Sequence, residues 1–151
     1  MKILVDTNVI INYLTRREDK YRETSIQVME LCADKKLEGY VAFHSLSIIW
    51  FFSGRQKQPE DTRREWLDLI CKILTTASAN HDAVTEAAHN VEFRDFEDNL
   101  QDICAQSVGC DYIVTVNTKD YEHSRVKALT PAELVQLLTP TLSGTHSSPQ
   151  A

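Results

Sequence analysis

The sequence lacks an excess of positive charge, a cysteine pair, a glycine-rich loop and a long apolar run, and each absence closes a class. Sixteen Lys and Arg stand against 22 Asp and Glu, for a net charge of −6. That excludes a protein coating nucleic acid through a uniformly basic surface, but not an enzyme built around an acidic centre. Cys32, Cys71, Cys104 and Cys110 form no C-x-x-C, and no Cys/His pair has ligand spacing, so zinc is not expected. They read as reduced, mostly buried thiols of a cytoplasmic protein. Four glycines leave no phosphate-cradling loop. The longest uncharged stretch, residues 39–54, holds His44 and three serines and falls short of the ~20 apolar residues of a membrane helix. The apolar N-terminus is interrupted by Asp6, Asn8 and Asn12 and reads as no signal peptide. Five histidines stand beside no Ser or Cys elbow, which argues against nucleophilic catalysis. Only His44 falls at an expected strand end, and it reads as structural or solvated.

What remains is an ordinary globular composition. The 151 residues are 42% hydrophobic and 25% charged, enough for one domain with a core of its own. A short apolar run at 2–5 suits a buried parallel strand, followed by a helix from about 8 to 14 and a charged loop over 16–20. A helical stripe over 21–36 is stopped by Gly39, with a strand at 40–43. A very apolar helix over 46–53 is closed by Gly54. Pro59 opens the next helix, with Trp66, Ile70 and Ile73 at helical spacing. A weak strand over 74–79 precedes a helix capped by Asn80, running through His89, and another capped by Asp95, running through Ser107 and ended by Gly109. Strands follow at 111–116 and 126–129. Thr130 and Glu133 form a capping box for a last helix over 131–138. Residues 1–139 are therefore read as one domain and 140–151 as a disordered tail. Strands alternating with helices predict a three-layer α/β/α fold around a mostly parallel sheet, with ligands beyond the carboxyl ends of the strands.

Three carboxylates fall at such positions. Asp6 directly follows Lys-Ile-Leu-Val, Asp98 lies in the first turn capped by Asp95, and Asp120 comes just after the late strand, with Asn117 nearer to it. Each has an ordinary structural role open to it: a cap, a helix-dipole partner, a turn residue. Together they repel unless a cation offsets them, and Mg²⁺ or Mn²⁺ prefers such oxygen ligands.

Three segments make the sequence recognisable. Residues 3–10 read Ile-Leu-Val-Asp-Thr-Asn-Val-Ile, residues 95–101 read Asp-Phe-Glu-Asp-Asn-Leu-Gln, and residues 109–121 run from Gly109 through Thr115, Asn117 and Asp120 to Tyr121. With the closing 129–133 they resemble, in order, the PIN-domain family of VapC-type toxin ribonucleases. The resemblance implies metal-dependent hydrolysis of RNA phosphodiesters. It makes Asp6, Asp98 and Asp120 the catalytic and metal-binding residues, with Thr7, Asn8, Thr115 and Asn117 in support. Glu97 is a neighbour that could assist, but on a helix it points about 100° away from Asp98. Two departures stand out. The family's usual glutamate after the second strand is absent, since residues 45–52 hold no acid, and Asn117 stands where aspartate is commoner. One ion is therefore expected rather than two. A PIN fold that binds RNA or protein without cutting is the alternative. The toxin reading implies an antitoxin partner, and the apolar helix over 48–52 suggests a homodimer. Two basic clusters, around Arg16 and Arg17 and around Arg55 to Arg64, read as solvated surface amid neighbouring acids.

Overall fold

The structure, a computed structural model, describes residues 1–140. Beyond its first residue, the tail expected over 140–151 lies outside the described residues. The elements are β1 (Lys2–Val5), α1 (Thr7–Thr15), α2 (Arg22–Ala33), β2 (Glu38–Ala42), α3 (Phe43–Arg55), α4 (Glu60–Ile73), β3 (Thr75–Ala77), α5 (His81–His89), α6 (Phe96–Ser107), β4 (Tyr112–Val114), a short 3-10 helix (Thr118–Tyr121), β5 (Ala128–Leu129) and α7 (Pro131–Leu138). The five strands form one parallel sheet in the order β3-β2-β1-β4-β5.

The pleat divides the core in two. Ile3, Val5, Val41 and Val114 face one layer, packed by Val9 and Ile10 of α1, Val28 and Met29 of α2, Ile49 of α3, Ile70 of α4 and Leu134 of α7. Leu4, Tyr40, Ala42 and Ile113 face the other, against Cys104 and Ala105 of α6 and Phe93 before it. Strands buried on both faces read as near-continuous apolar runs, as β1 and β4 do. The three layers expected from the alternation are thus present.

The boundaries correct the sequence reading at the glycines. Gly39 does not stop a helix: α2 already ends at Ala33, and Lys35 takes the left-handed turn at φ 59°. Gly39 lies inside β2, where a Cβ would come within 2.5 Å of Leu74 Cδ2 and 2.6 Å of Cys32 Sγ. It is there for close packing of α2 and Leu74 on the strand. Gly54 does not close its helix either, since α3 continues to Arg55. Its missing Cβ leaves room for Arg63, whose guanidinium lies 3.7 Å from the Trp50 ring centroid and donates to the Trp50 carbonyl at 2.8 Å. The aromatic run on α3 is split as helical geometry demands. Trp50 lies under Arg63, Phe52 packs on the core and Phe51 is 66% exposed. The cysteines are unpaired; Cys32 and Cys104 are buried and Cys71 is exposed. Burial pushes the Cys32 thiol up to about 12. Among the described residues no helix is long and apolar enough to cross a membrane.

One buried carboxylate fixes the far side of the sheet. Asp102 of α6 accepts from Ser124 Oγ at 2.6 Å, Gln106 Nε2 at 2.9 Å, and the backbone N–H groups of Val126 and Arg125 at 3.0 and 3.2 Å. It ties the chain entering β5 to α6. Asp102→Ala leaves the backbone N–H groups of Arg125 and Val126 without their acceptor, while the Ser124 hydroxyl keeps the Val126 carbonyl at 2.7 Å. At roughly 1–3 kcal/mol for each buried group left unpaired, chemical denaturation should register a loss of about 2 kcal/mol or more.

Candidate active site

The chain runs from β1 outward through β2 to β3, then returns to the other side of β1 as β4. The order reverses between β1 and β4, where parallel sheets open a crevice at their carboxyl edge. Asp6 follows β1 at that point. Its N–H donates to the Val114 carbonyl at 2.9 Å, extending the β1–β4 pairing by one residue.

Asp6 is buried, and both of its oxygens are engaged. Oδ1 accepts from the Thr7 backbone N–H and Oδ2 from the Thr115 hydroxyl, each at 2.7 Å. Asp6 is also the N-cap of α1, so the capping role and a role in the site coincide in one residue. The helix N-terminus favours its charge. Thr115 in turn accepts from the Asn117 N–H at 3.2 Å, and the Asn117 amide donates to Asp120 Oδ2 at 2.6 Å. Asp98, Asn117 and Asp120 line one cavity with Arg94, Lys119 and His123.

The first turn of α6 supplies two acids. Asp95 caps the helix through the Glu97 N–H at 2.8 Å. Asp98 Oδ1 accepts from the buried Tyr121 hydroxyl at 3.3 Å. Glu97 reaches the opposite way, where its Oε1 accepts from the Thr7 hydroxyl at 3.4 Å. The 100° between neighbours on a helix places the two carboxylates on different sides rather than removing one from the site. Asn8 is exposed, and its side-chain oxygen accepts from Arg17 Nη2 at 3.4 Å, with no bond to the acids.

The electrostatics are those of crowded, uncompensated carboxylates. Burial holds Asp6 above the usual carboxylate range, with the charge of Asp120 adding to it, while the bonds from Thr115, Thr7 and Tyr121 pull the other way. Asp98 is pushed up to about 7 by burial first, then by Asp6, Asp95 and Asp120. Glu97 is raised by burial, then by Asp6 and Asp95. Burial and the charges of Asp6 and Asp98 drive the Tyr121 phenol far up, so it remains a proton donor. None of the ion pairs among the described residues involves Asp6, Glu97, Asp98 or Asp120.

Carboxylate and amide oxygens without a cationic partner are the donor set of a hard divalent ion, so the residues fit one chemically. They are not a ready-made cage: among the described residues, no three His, Cys, Asp or Glu side chains are close enough to hold an ion as they stand. Tyr121 is the residue that sequence reasoning left out, and Glu97 is one that it named only as a neighbour able to assist. Tyr121 had only its place beside Asp120 as a signal, and Glu97 only its place beside Asp98.

A parallel α/β sheet with an acidic cluster at its switch point defines a class of fold, and comparison defines the family. The model of the PIN domain matches residues 2–119, and the chain belongs to that family. No curated protein matches the sequence. Several solved structures share the fold. VapBC2 from Rickettsia felis, bound to a DNA fragment from its promoter, is 16% identical at a TM-score of 0.61, with 86% of this chain and 98% of that chain covered. FitAcB from Neisseria gonorrhoeae is 14% identical at a TM-score of 0.61, with coverage of 86% and 98%. The Mycobacterium tuberculosis toxin VapC20, described as cleaving the sarcin-ricin loop, is 16% identical at a TM-score of 0.57, with coverage of 74% and 86%. At these identities the likeness is one of fold.

The raised Asp98 carboxyl has a measurable consequence. Between its unfolded value of ~4 and its folded value of about 7, the native state holds a proton that the unfolded chain has released. Stability of the ion-free protein should therefore be highest below that window and fall as pH rises through it. Thermal melts in EDTA from pH 5 to 8 should show a steeper decline for wild type than for Asp98→Asn.

Proposed function

We propose that this chain is a divalent-metal-dependent ribonuclease that hydrolyses RNA phosphodiester bonds, acting in the cytoplasm as the toxin of a toxin–antitoxin pair. One observation carries the reading. The carboxylates of Asp6, Asp98 and Asp120 gather at the switch point of the sheet, and none of them is in an ion pair among the described residues. Membership of the PIN family supports it, as does the fold shared with VapBC2, FitAcB and VapC20. Asp6, Asp98 and Asp120 would hold the ion, Mg²⁺ or Mn²⁺, with Asn117 at its edge. When bound, the ion supplies Lewis-acid activation of water and offsets charge on the phosphate.

The chain's own residues prepare the site. Thr7 and Thr115 fix both oxygens of Asp6, so its carboxylate is presented in one orientation. Tyr121 directs a proton at Asp98 Oδ1 and favours the ionised carboxylate. Asn117 holds Asp120 at the cavity. Arg94 and Lys119, on the same cavity, are placed to receive the flanking phosphates of an RNA strand.

Asp6→Asn keeps the size of the side chain and removes the charge that would attract an ion. RNA cleavage should be lost, Mn²⁺ binding should weaken, and the ion-free melting temperature should rise slightly. Asn117→Asp should tighten Mn²⁺ binding. The measurements are Mn²⁺ titration calorimetry beside RNA digestion. Failure of wild type to bind Mn²⁺ at millimolar concentration, with no gain in Asn117→Asp, would leave the non-cutting PIN module as the better reading. That alternative is favoured by the lack of a ready-made ion cage.

We further propose a homodimer formed through α3, on which Phe51 is 66% exposed. Exposed aromatic surface of this kind commonly marks contacts. Sedimentation at micromolar concentration should give twice the 17.2 kDa chain mass, and Phe51→Ser should shift it towards the single chain.

A further inference from the structure

We propose that Glu97 is a further carboxylate of the cation site, oriented by the Thr7 hydroxyl, which Ser45 and Gln101 fix in turn. The proposal rests on the metal-site reading above and adds a residue to it. Its basis is a run of hydrogen bonds on the side of Asp6 away from Tyr121. Thr7 Oγ1 lies 3.4 Å from Glu97 Oε1 and 2.9 Å from Ser45 Oγ, and the Gln101 amide donates to Ser45 Oγ at 2.8 Å and to Thr7 Oγ1 at 3.3 Å. Three elements meet there: α1 brings Thr7, α3 brings Ser45, and α6 brings both Glu97 and Gln101.

Gln101 and Ser45 are fully buried, and Gln101 Oε1 has no hydrogen-bond partner among the described residues. An orphaned buried acceptor is destabilising, and such groups in a native structure call for an explanation beyond packing. The explanation is that the amide nitrogen is committed to the two hydroxyls. The Thr7 hydroxyl has one proton, which it shares between Ser45 Oγ at 2.9 Å and Glu97 Oε1 at 3.4 Å, so that the buried pair holds Thr7 Oγ1 beside Glu97. The same residue, Thr7, gives its backbone N–H to Asp6 Oδ1. One residue therefore sets the orientation of two carboxylates that repel each other.

The first turn of α6 then spans the site. Asp98 is tied on one side, to Tyr121, and Glu97 on the other, to Thr7, with Asp6 joined to both sides through Thr7 and Thr115. Two adjacent residues of one helix start thus set carboxylates on either side of Asp6, and neither is in an ion pair among the described residues. An acid that served only the helix dipole would need neither the Thr7 contact nor its buried support.

The test is Glu97→Gln, which keeps the size and removes the charge. Asp82→Asn serves as comparison, since it removes an acid from the first turn of α5. Binding of Mn²⁺ alone is read by calorimetry, and melting of the ion-free protein is read in EDTA. Glu97→Gln should weaken Mn²⁺ about tenfold or more and raise the ion-free melting temperature, because a charge beside Asp6 is gone. Asp82→Asn should leave Mn²⁺ affinity unchanged and lower the melting temperature. Should Glu97→Gln bind Mn²⁺ within twofold of wild type while Asp6→Asn loses it, the role of Glu97 is overturned and the metal site stands. Absence of Mn²⁺ binding by wild type would overturn both.

Discussion

The structure turns on one buried carboxylate at the end of its central strand. Asp6 has almost no access to water, and its charge is tolerated because the Thr7 N–H, the Thr115 hydroxyl and the start of α1 all face it. That demand fixes much else. Thr115 can reach Asp6 only if β4 lies beside β1 in the register that pairs Val5 with Val114. Thr7 can do so only if α1 begins without an intervening loop. The switch point of the sheet and the acidic site are consequently one feature of the fold seen from two sides.

The arrangement separates charge from its usual remedies. Arg94 lines the site without an ion pair among the described residues, and several other arginines are spent elsewhere. Arg17 bonds Asn12 and Asn8, Arg63 covers Trp50, and Arg64 and Arg22 pair with surface glutamates. Pairs of that exposed kind contribute little to stability. Burial first, and then mutual repulsion, raises the proton affinity of Asp6, Glu97 and Asp98 and weakens the ion-free fold. A stable chain that keeps such a cluster is trading some stability for a site.

Most of the fold was legible because local signals agreed with one another. The apolar 2–5 run, the caps at Asn80 and Asp95 and the capping box at Thr130 each reappear as an element start. The glycines misled for a physical reason. Glycine both ends helices and permits close packing, and only neighbours distant in sequence, Leu74 for Gly39 and Arg63 for Gly54, decide which. The site was partly legible for the same reason. Asp6, Asp98, Asn117 and Asp120 sit at element ends that periodicity can place. Glu97 was legible only as a neighbour able to assist, since helical geometry gives its angle to Asp98 but not that Thr7 lies on the side it faces. Tyr121 and Gln101 act through contacts with residues 23 and 94 positions away, and no local pattern announces those.

The pairing of the first strand with the fourth also sets the order in which a growing chain can become competent. Asp6 leaves the ribosome before Thr115, which follows 109 positions later. Until then β1 can pair only with β2, and the carboxylate has neither its hydroxyl partner nor the edge of β4 beside it. Contacts of such long sequence separation form after their loop-closure entropy has been met, and so late in folding. The 3-10 helix carrying Asp120 and Tyr121 comes later still. A nascent or truncated chain lacking residues past about 115 therefore has a sheet without a site, so whatever chemistry the protein performs is withheld until nearly all of the described domain has been synthesised.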